Sequence, residues 1–535
     1  MADPDVIVVG AGGGGPVVAK ELAEAGVRVL MLEAGPWLDP DRDFSRLEDD
    51  MNSIVDGRLR WGPADRSKSP WMRRREGAGL ILQAAGVGGT TLHYNGISPR
   101  AYTTSFADGK WPIPYEELVP YYERVEEFLP VRLVDDLATK DALFAAGCEK
   151  VGLVRSESKD VGEAMWRPCH NAILPIATME PGTPLRYPEV DGCTMCGHCL
   201  QGCPNPVGAP LERKAKRATN VSYVPAAVAT GNCQIVPNAF ATAVLFEEGG
   251  DGGRARARGV RWRETATGQE REAEAPVVVL AGGSIENPRL WLNSGLPNFG
   301  GAVGRYLTTH AQDLVTGFFD HEVHPDVGQV TMARADFPGH GTFFTQGFGP
   351  QYFAIAVAGG GRGWWDDDTG DEPWDTVGKG WGPEAVRRLG EYHRTLSVII
   401  SVNDEGVADN GVILADDWPA DEHGPVPKVV YNMTPATKER RDWLARKASE
   451  VMRAAGAHEV HRTDIQPILT HIMSTMRMGN DPAASVVDPN GEAHEVEGLW
   501  VGDSSIIVSV GGANPTLTAQ AVAARTAEKI LGRMS

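Results

Sequence analysis

The chain lacks any run of about 18 apolar residues, which excludes a helix spanning a membrane. Its opening residues, Met1-Ala-Asp-Pro-Asp5, have no basic region and no apolar leader, so no signal peptide is expected. Positive charge is scarce: 51 Lys and Arg stand against 71 Asp and Glu over 535 residues, a formal net charge of −20. A surface that acidic disfavours nucleic acid and anionic membranes as partners. No internal repeat is visible, which removes the solenoid and propeller architectures. Cysteine is also sparse, at seven residues. In a leaderless chain, cysteines that cluster point to metal or redox chemistry rather than to a disulfide framework. The expectation is a cytoplasmic protein, with export on a signal-bearing partner as the alternative. At this length a single core does not suffice, so at least two domains are expected.

What is present begins with residues 5–9, Asp-Val-Ile-Val-Val, a short and nearly continuous apolar run of the kind that forms parallel strands buried on both faces. Gly10-Ala-Gly12-Gly-Gly-Gly15 follows, then a segment of helical composition over 16–25, then a second strand over 27–32 that ends at Glu33. Each part has a physical reason to be there. Gly10 permits a tight turn, Gly12 lets the backbone approach a pyrophosphate, and Gly15 lets helix and strand pack closely. The helix N-terminus favours phosphate charge, and Glu33, 18 residues after Gly15, can bind ribose hydroxyls. An acid at that strand end argues against a 2′-phosphate but does not separate NAD from FAD.

The remainder of the chain does separate them. No βαβ series continues past Glu33, as a chain built for NAD would show. Instead there are four further blocks: Gly86-Val-Gly-Gly89-Thr-Thr-Leu-His93-Tyr-Asn95; a strand, glycine turn and helix over 277–295; Gly498-Leu-Trp-Val-Gly502-Asp503; and Gly511-Gly-Ala-Asn514-Pro-Thr-Leu-Thr with a final helix. These blocks, with Trp111-Pro-Ile-Pro-Tyr-Glu-Glu-Leu and Gly304-Arg-Tyr-Leu-Thr-Thr-His310, occur in the order found in the glucose–methanol–choline oxidoreductase family, which the chain resembles. The resemblance implies an α/β fold: a Rossmann-like FAD-binding domain assembled from discontinuous segments, beside a substrate domain with a mainly antiparallel sheet. The expected division is 1–110, 215–310 and 465–535 for FAD, and 111–214 and 311–464 for substrate. Gly10, Gly12, Gly15, Glu33, Gly88, Gly89, Thr90, His93, Asn95, Gly502, Asp503, Pro515 and Thr516 are the implied cofactor residues. In some sugar-oxidising members a histidine at the place of His93 carries a covalent bond to the flavin, and other members bind FAD without one.

The resemblance also supplies a catalytic pair. His471-Ile-Met-Ser-Thr-Met-Arg-Met-Gly479 is similar to the family's H-x-x-G-T-x-x-M-G, with Ser474 where glycine is usual, and Asn514 stands where the family has His or Asn. Such chemistry needs a base for the alcohol proton while the α-hydrogen leaves as hydride. His471 is the base by this reading, since histidine titrates near neutral pH, and Asn514 orients the same oxygen. Asn514 followed by Pro515 also reads as an N-cap with proline at the first helical position. A helix starting there directs its positive end toward the flavin.

Four of the seven cysteines fall in Cys193-Thr-Met-Cys196-Gly-His-Cys199-Leu-Gln-Gly-Cys203-Pro204, within an insert over 190–206. The C-x2-C-x2-C-x3-C-P spacing is that of a bacterial ferredoxin run. Three readings stand together: an iron–sulfur cluster (3Fe-4S or 4Fe-4S) on Cys193, Cys196, Cys199 and Cys203, with Cys169 or Cys233 as a substitute fourth ligand; a zinc site; and a metal-free structural loop. Cys199, Cys203-Pro204 and the following Lys214-Ala-Lys216 are similar to the segment of the family's membrane-linked sugar dehydrogenases that carries a three-iron cluster. A cluster implies electron export to an acceptor protein or quinone. Without one, an oxygen-using oxidase is the alternative. The expected substrate is a sugar, glycoside or other small alcohol. The Gly/Asp/Trp-rich stretch over 359–374 either stacks on a flat ligand or is a loop pinned by aromatic packing.

Overall fold

A computed structural model describes residues 3–44, 74–77, 80–81, 83–107, 109–134, 136–175, 192–250, 253–358, 373–375, 382–463 and 468–535. Apart from 373–375, the tryptophan-rich stretch lies outside them, as do residues 190 and 191 of the cysteine insert.

The short apolar runs form a parallel sheet. Its strands lie in the spatial order Leu499–Val501, Val277–Leu280, Val6–Val9, Val29–Leu32 and Cys233–Val236. Val6–Val9 and Val277–Leu280 are buried at every position, which is why neither alternates polar with apolar residues. Only Val6–Val9 and Val29–Leu32 are neighbours in sequence as well as in space; the other strands of the layer come from residues 233–236, 277–280 and 499–501. Helix Gly15–Glu24 packs against the C-terminal helix Thr516–Met534, which in turn packs on Tyr115–Phe128.

The second layer is an eight-stranded, mainly antiparallel sheet built on Thr308–Phe318, Ala333–Phe337, Gly341–Gln346, Thr395–Val402 and Ile468–Met473. Alternation divides its residues between two faces. Ala311, Val315, Phe343, Leu396, Val398 and Ile400 join Leu444, Ala448 and Met452 of helix Pro435–Ala455 in one apolar cluster. That helix starts on Thr434, whose side chain accepts from Thr437 N, and stops at Gly456 in a left-handed conformation (φ 108°), as its composition predicts. The other face of the sheet turns toward the parallel layer, and the site lies between them. Among the described residues no helix is long and apolar enough to cross a membrane.

Candidate active site

A cavity of about 410 Å³ runs between the two layers. One end is walled by the glycine-rich turn. A Cβ at Gly10 would meet Ala281 O at 2.3 Å, at Gly14 Gly502 O at 2.2 Å, and at Gly15 Gly10 O at 2.0 Å, so protein already fills those positions. At Gly12 a Cβ would meet only Gly89 Cα, at 3.9 Å, and would otherwise enter the cavity. Helix Gly15–Glu24 carries no side-chain cap on its first turn. Open N–H groups behind a side-chain-free cradle are what a pyrophosphate requires, and the site therefore fits FAD.

Two predicted carboxylates hold this cradle together. Glu33 Oε2 accepts from Ala11 N at 2.8 Å, and Oε1 accepts from Gly35 N at 2.9 Å and Gly86 N at 3.0 Å. It thereby ties the turn, the end of the second strand and the Gly86–Thr91 loop, while still lining the cavity. Burial pushes its carboxyl up to about 7 against those donors. Asp503 does the same for the Gly283 turn: Oδ2 accepts from Gly283 N at 2.7 Å and Asn287 Nδ2 at 2.9 Å.

Gly89, Thr90, His93, Asn95, Pro515 and Thr516 also line the cavity. Gly15, Gly88 and Gly502 are not among the lining residues. They are packing positions: a Cβ at Gly88 would strike Leu92 at 2.6 Å, and one at Gly502 would strike Val18 at 2.8 Å.

The catalytic end begins with a strand irregularity. The register between Thr308–Phe318 and Ile468–Met473 shifts so that His471 and Ile472 together oppose Thr309. His471 sits at this bulge with φ 57°. Bulges of this kind re-aim a side chain, and this one brings the imidazole to the cavity. Its Nδ1 lies 3.0 Å from Nδ1 of the fully buried His310, so Nε2 is the ring nitrogen that His310 does not occupy. Burial first, then the charges of Arg334 and His93, hold His471 down at about 4. It is neutral at physiological pH and able to accept a proton. Ser474, at the place where the family pattern has glycine, has φ 77°, and its Oγ shares a hydrogen bond of 2.9 Å with Thr308 Oγ1. That bond holds a non-glycine residue in a conformation glycine adopts freely.

Asn514 is not an N-cap. The final helix begins at Thr516, with Pro515 in the cap position and no side-chain cap. Instead Asn514 Oδ1 accepts from Arg334 Nη1 at 3.2 Å. This network fixes the amide, so Nδ2 is left to donate toward the cavity. Arg334 is buried and also donates to Asp336 Oδ1 through Nε at 2.9 Å and Nη2 at 2.6 Å. The same carboxylate accepts from Arg167 Nε at 2.7 Å and Tyr102 Oη at 2.7 Å. Two guanidiniums on one carboxylate leave a surplus positive charge behind Asn514.

Cys193, Cys199 and Cys203 share one buried apolar cluster with Ile173, Ala215 and Val330. Cys196 lies at its edge, with Asn205 Nδ2 donating to its Sγ at 2.9 Å, and Met195 N donates to Cys193 Sγ at 3.4 Å. All seven cysteines are unpaired. Cys233 belongs to the parallel layer and Cys169 packs with Ile97 and Phe344, so neither sits with the four. Thiolates about 2.3 Å from one zinc would lie within about 4 Å of each other. Among the described residues, only His324, Asp326 and His393 bring three ligand atoms within 4.8 Å, so the thiols are not gathered for a single ion. Buried Lys216 joins this pocket to the cavity: its Nζ donates to Cys199 O at 2.6 Å, Leu92 O at 2.8 Å and Tyr94 O at 3.0 Å. Burial lowers the ammonium to about 8. Burial pushes the Cys193, Cys199 and Cys203 thiols up, Cys203 to about 12, and Cys203 Sγ donates to Asn205 O at 3.7 Å.

Sequence reasoning missed His310, Arg334 and Lys216 as site residues. His310 closes the Gly304–His310 block and was within reach of a motif reading. Arg334 has no local signature, because only strand pairing brings it to Asn514.

Two family models, each described as GMC oxidoreductase, match residues 163–312 and 408–523. The chain is 27% identical to the 2-methyl-1,2-propanediol dehydrogenase of Mycolicibacterium austroafricanum, over 99% of this chain and 96% of that protein. It is 26% identical to the paromamine 6'-oxidase of Streptomyces fradiae, over 99% and 91%. With a long-chain-alcohol oxidase of Arabidopsis thaliana the identity is 25%, over 98% and 67%. Among solved structures, formate oxidase of Aspergillus oryzae superposes with a TM-score of 0.67 at 15% identity, covering 100% and 99% of the two chains. These matches at both halves of the chain, over a fold with a Rossmann-like FAD-binding layer and an antiparallel layer, show that the chain belongs to the GMC oxidoreductase family of flavoenzymes.

Proposed function

We propose that the protein oxidises a CH–OH group of a small alcohol to a carbonyl, with FAD as the acceptor. The observation that carries this reading is that His471 and Asn514 line the same cavity as the glycine-rich cradle. In this reading 1–110, 215–310 and 465–535 serve the cofactor, and 111–214 and 311–464 serve the substrate. When bound, FAD supplies the two-electron acceptor to which the α-hydrogen leaves as hydride. Everything else is done by the chain. His471 Nε2 takes the hydroxyl proton, which requires the tautomer in which His471 Nδ1–H donates to His310 Nδ1. The imidazolium that forms keeps that bond and is held in orientation by it. Asn514 Nδ2 donates to the substrate oxygen as negative charge grows there, and the surplus charge at Arg334 favours that charge. The uncapped N-terminus of Thr516–Met534 acts in the same sense.

The test is anaerobic flavin reduction by alcohol in the FAD-loaded protein. His471→Ala should retain FAD and lose reduction by a factor of about 10² or more. Reduction at the wild-type rate would remove His471 as the base.

The reading extends to the cysteines. Cys193, Cys196, Cys199 and Cys203 would hold an iron–sulfur cluster, which when present supplies a one-electron exit to an acceptor protein or quinone. Burial, the N–H donors to sulfur and the Lys216 link to the cavity support this. The unpaired cysteines favour a reducing, cytoplasmic setting. Iron and acid-labile sulfide analysis with an EPR spectrum of anaerobically purified protein decides it. Protein free of iron that reduces oxygen would leave the oxidase alternative.

A further inference from the structure

The antiparallel layer presents one cross-strand row to the cavity beyond His471. Leu314 pairs with Ile399, Ile399 with Phe344, and Phe344 with Arg334. Antiparallel partners point to the same face, so Leu314, Ile399 and Phe344 form a continuous apolar strip ending at the arginine that holds Asn514. His310 and Leu314 share that face on one strand, four residues apart. Phe348 and Tyr352, whose rings stack with centroids 6.3 Å apart, add to the same wall, as does Leu200 from the cysteine run.

The polar side chains at this end are partly engaged with one another, and of the lining residues Asn95 Oδ1 and Thr470 Oγ1 stand buried without a partner, away from the strip. Asn95 Nδ2 donates to Gln346 Oε1 at 2.9 Å and Thr331 Oγ1 at 3.0 Å. Gln346 Nε2 donates to Gly347 O at 3.3 Å, and Gln312 Nε2 to Ser401 Oγ at 3.4 Å. The Asp313 carboxylate, on the opposite face of the strand from Leu314, is held by Arg462 Nε at 2.7 Å. Among the described residues, therefore, no unpaired charge faces the space where an alcohol must lie to reach His471. A sugar placed there would set hydroxyls against Leu314, Ile399 and Phe344 without partners, at about 1–3 kcal/mol for each one buried. A cationic alcohol would find no carboxylate beside the strip, because the cavity's Glu33 and Asp503 lie at the glycine-turn end.

Resting on the proposed alcohol oxidation, we infer that the substrate is an uncharged alcohol with an apolar aryl or alkyl body. The strip binds the body, and His471 with Asn514 holds the hydroxyl. Sugars and quaternary ammonium alcohols are excluded by unpaired polarity.

The test uses the FAD-loaded, full-length enzyme under anaerobic conditions, with benzyl alcohol, 1-octanol, D-glucose and choline as probes. Flavin reduction should be at least about 10²-fold more efficient with benzyl alcohol or 1-octanol than with D-glucose or choline. Ile399→Thr, which replaces the side chain's ethyl group with one hydroxyl, should raise the half-saturating 1-octanol concentration about 10-fold with flavin content unchanged. D-glucose or choline matching the apolar alcohols would overturn the inference and leave alcohol oxidation standing. Equal 1-octanol saturation in Ile399→Thr would overturn the role of the strip. If no alcohol reduces a flavin that dithionite reduces, alcohol oxidation itself fails.

Discussion

Nδ1 of His310 lies 3.0 Å from Nδ1 of His471, with the rings nearly perpendicular at 88°. The two residues come from adjacent strands, and the bulge at His471 brings the rings together. His310 is thus the group that can hold the base in its working tautomer. Replacing it with Phe keeps the apolar packing and removes the acceptor. Flavin reduction should fall about 10- to 100-fold with FAD content unchanged. His310→Asn, which restores an acceptor, should recover part of the loss. A structural role alone would change thermal stability without separating the two variants.

The depressed position of His471 predicts an unusual pH profile. The acid limb of flavin reduction should lie near pH 4, where His471 protonates, rather than near the ordinary histidine value of about 6.5. His93 and His170 are held down to about 4 in the same way, chiefly by burial. Between about pH 6.5 and 4 the unfolded chain binds protons that the folded chain refuses. This stabilisation is complete above about pH 6.5 and is lost as pH falls. Melting temperatures measured across that window should drop, and His93→Gln should flatten the drop.

Glu33 titrates in the opposite sense. Its folded value is raised to about 7, so its contribution to stability falls as pH rises from about 4.5 through 7. Glu33→Gln places an amide N–H against one of the backbone N–H groups that the carboxylate now accepts. The variant should lose about 1–3 kcal/mol in chemical denaturation and release FAD more readily in fluorescence titration.

Arg334 holds Asn514 and Asp336 at once. Arg334→Lys keeps the charge but cannot reproduce the fork. Asn514 would then turn, and the rate of flavin reduction should fall about 10-fold or more while FAD content is retained. Arg334→Met should in addition destabilise the fold by about 3–5 kcal/mol, because a buried pair is broken. Equal flavin reduction in Arg334→Lys and wild type would show that Asn514 needs no such support.

Ser474→Gly tests the strained turn after His471. It relieves a left-handed serine, worth about 1–2 kcal/mol, but loses the Thr308 hydrogen bond, worth about 1 kcal/mol. Net stability should change by less than about 1 kcal/mol, with faster hydrogen exchange at residues 471–475.

The sequence by itself determined the parts whose physics is local. The Val6–Val9 strand, the glycine turn and the helix after it are one contiguous unit, so composition and spacing suffice to read them. The same holds for His471 and Asn514, which sit within recognisable blocks. Glu33 was legible as a cavity residue, but its three backbone donors come from positions up to 53 residues away. Tertiary structure alone decided that Asn514 is held by Arg334 rather than capping a helix, and that His310 backs His471. It also decided that Leu314, Ile399 and Phe344 form one apolar strip. Strand register sets the His310–His471 pair and the strip, and packing of the Asn514 loop on the sheet sets its contact with Arg334; no local periodicity encodes which strands become neighbours.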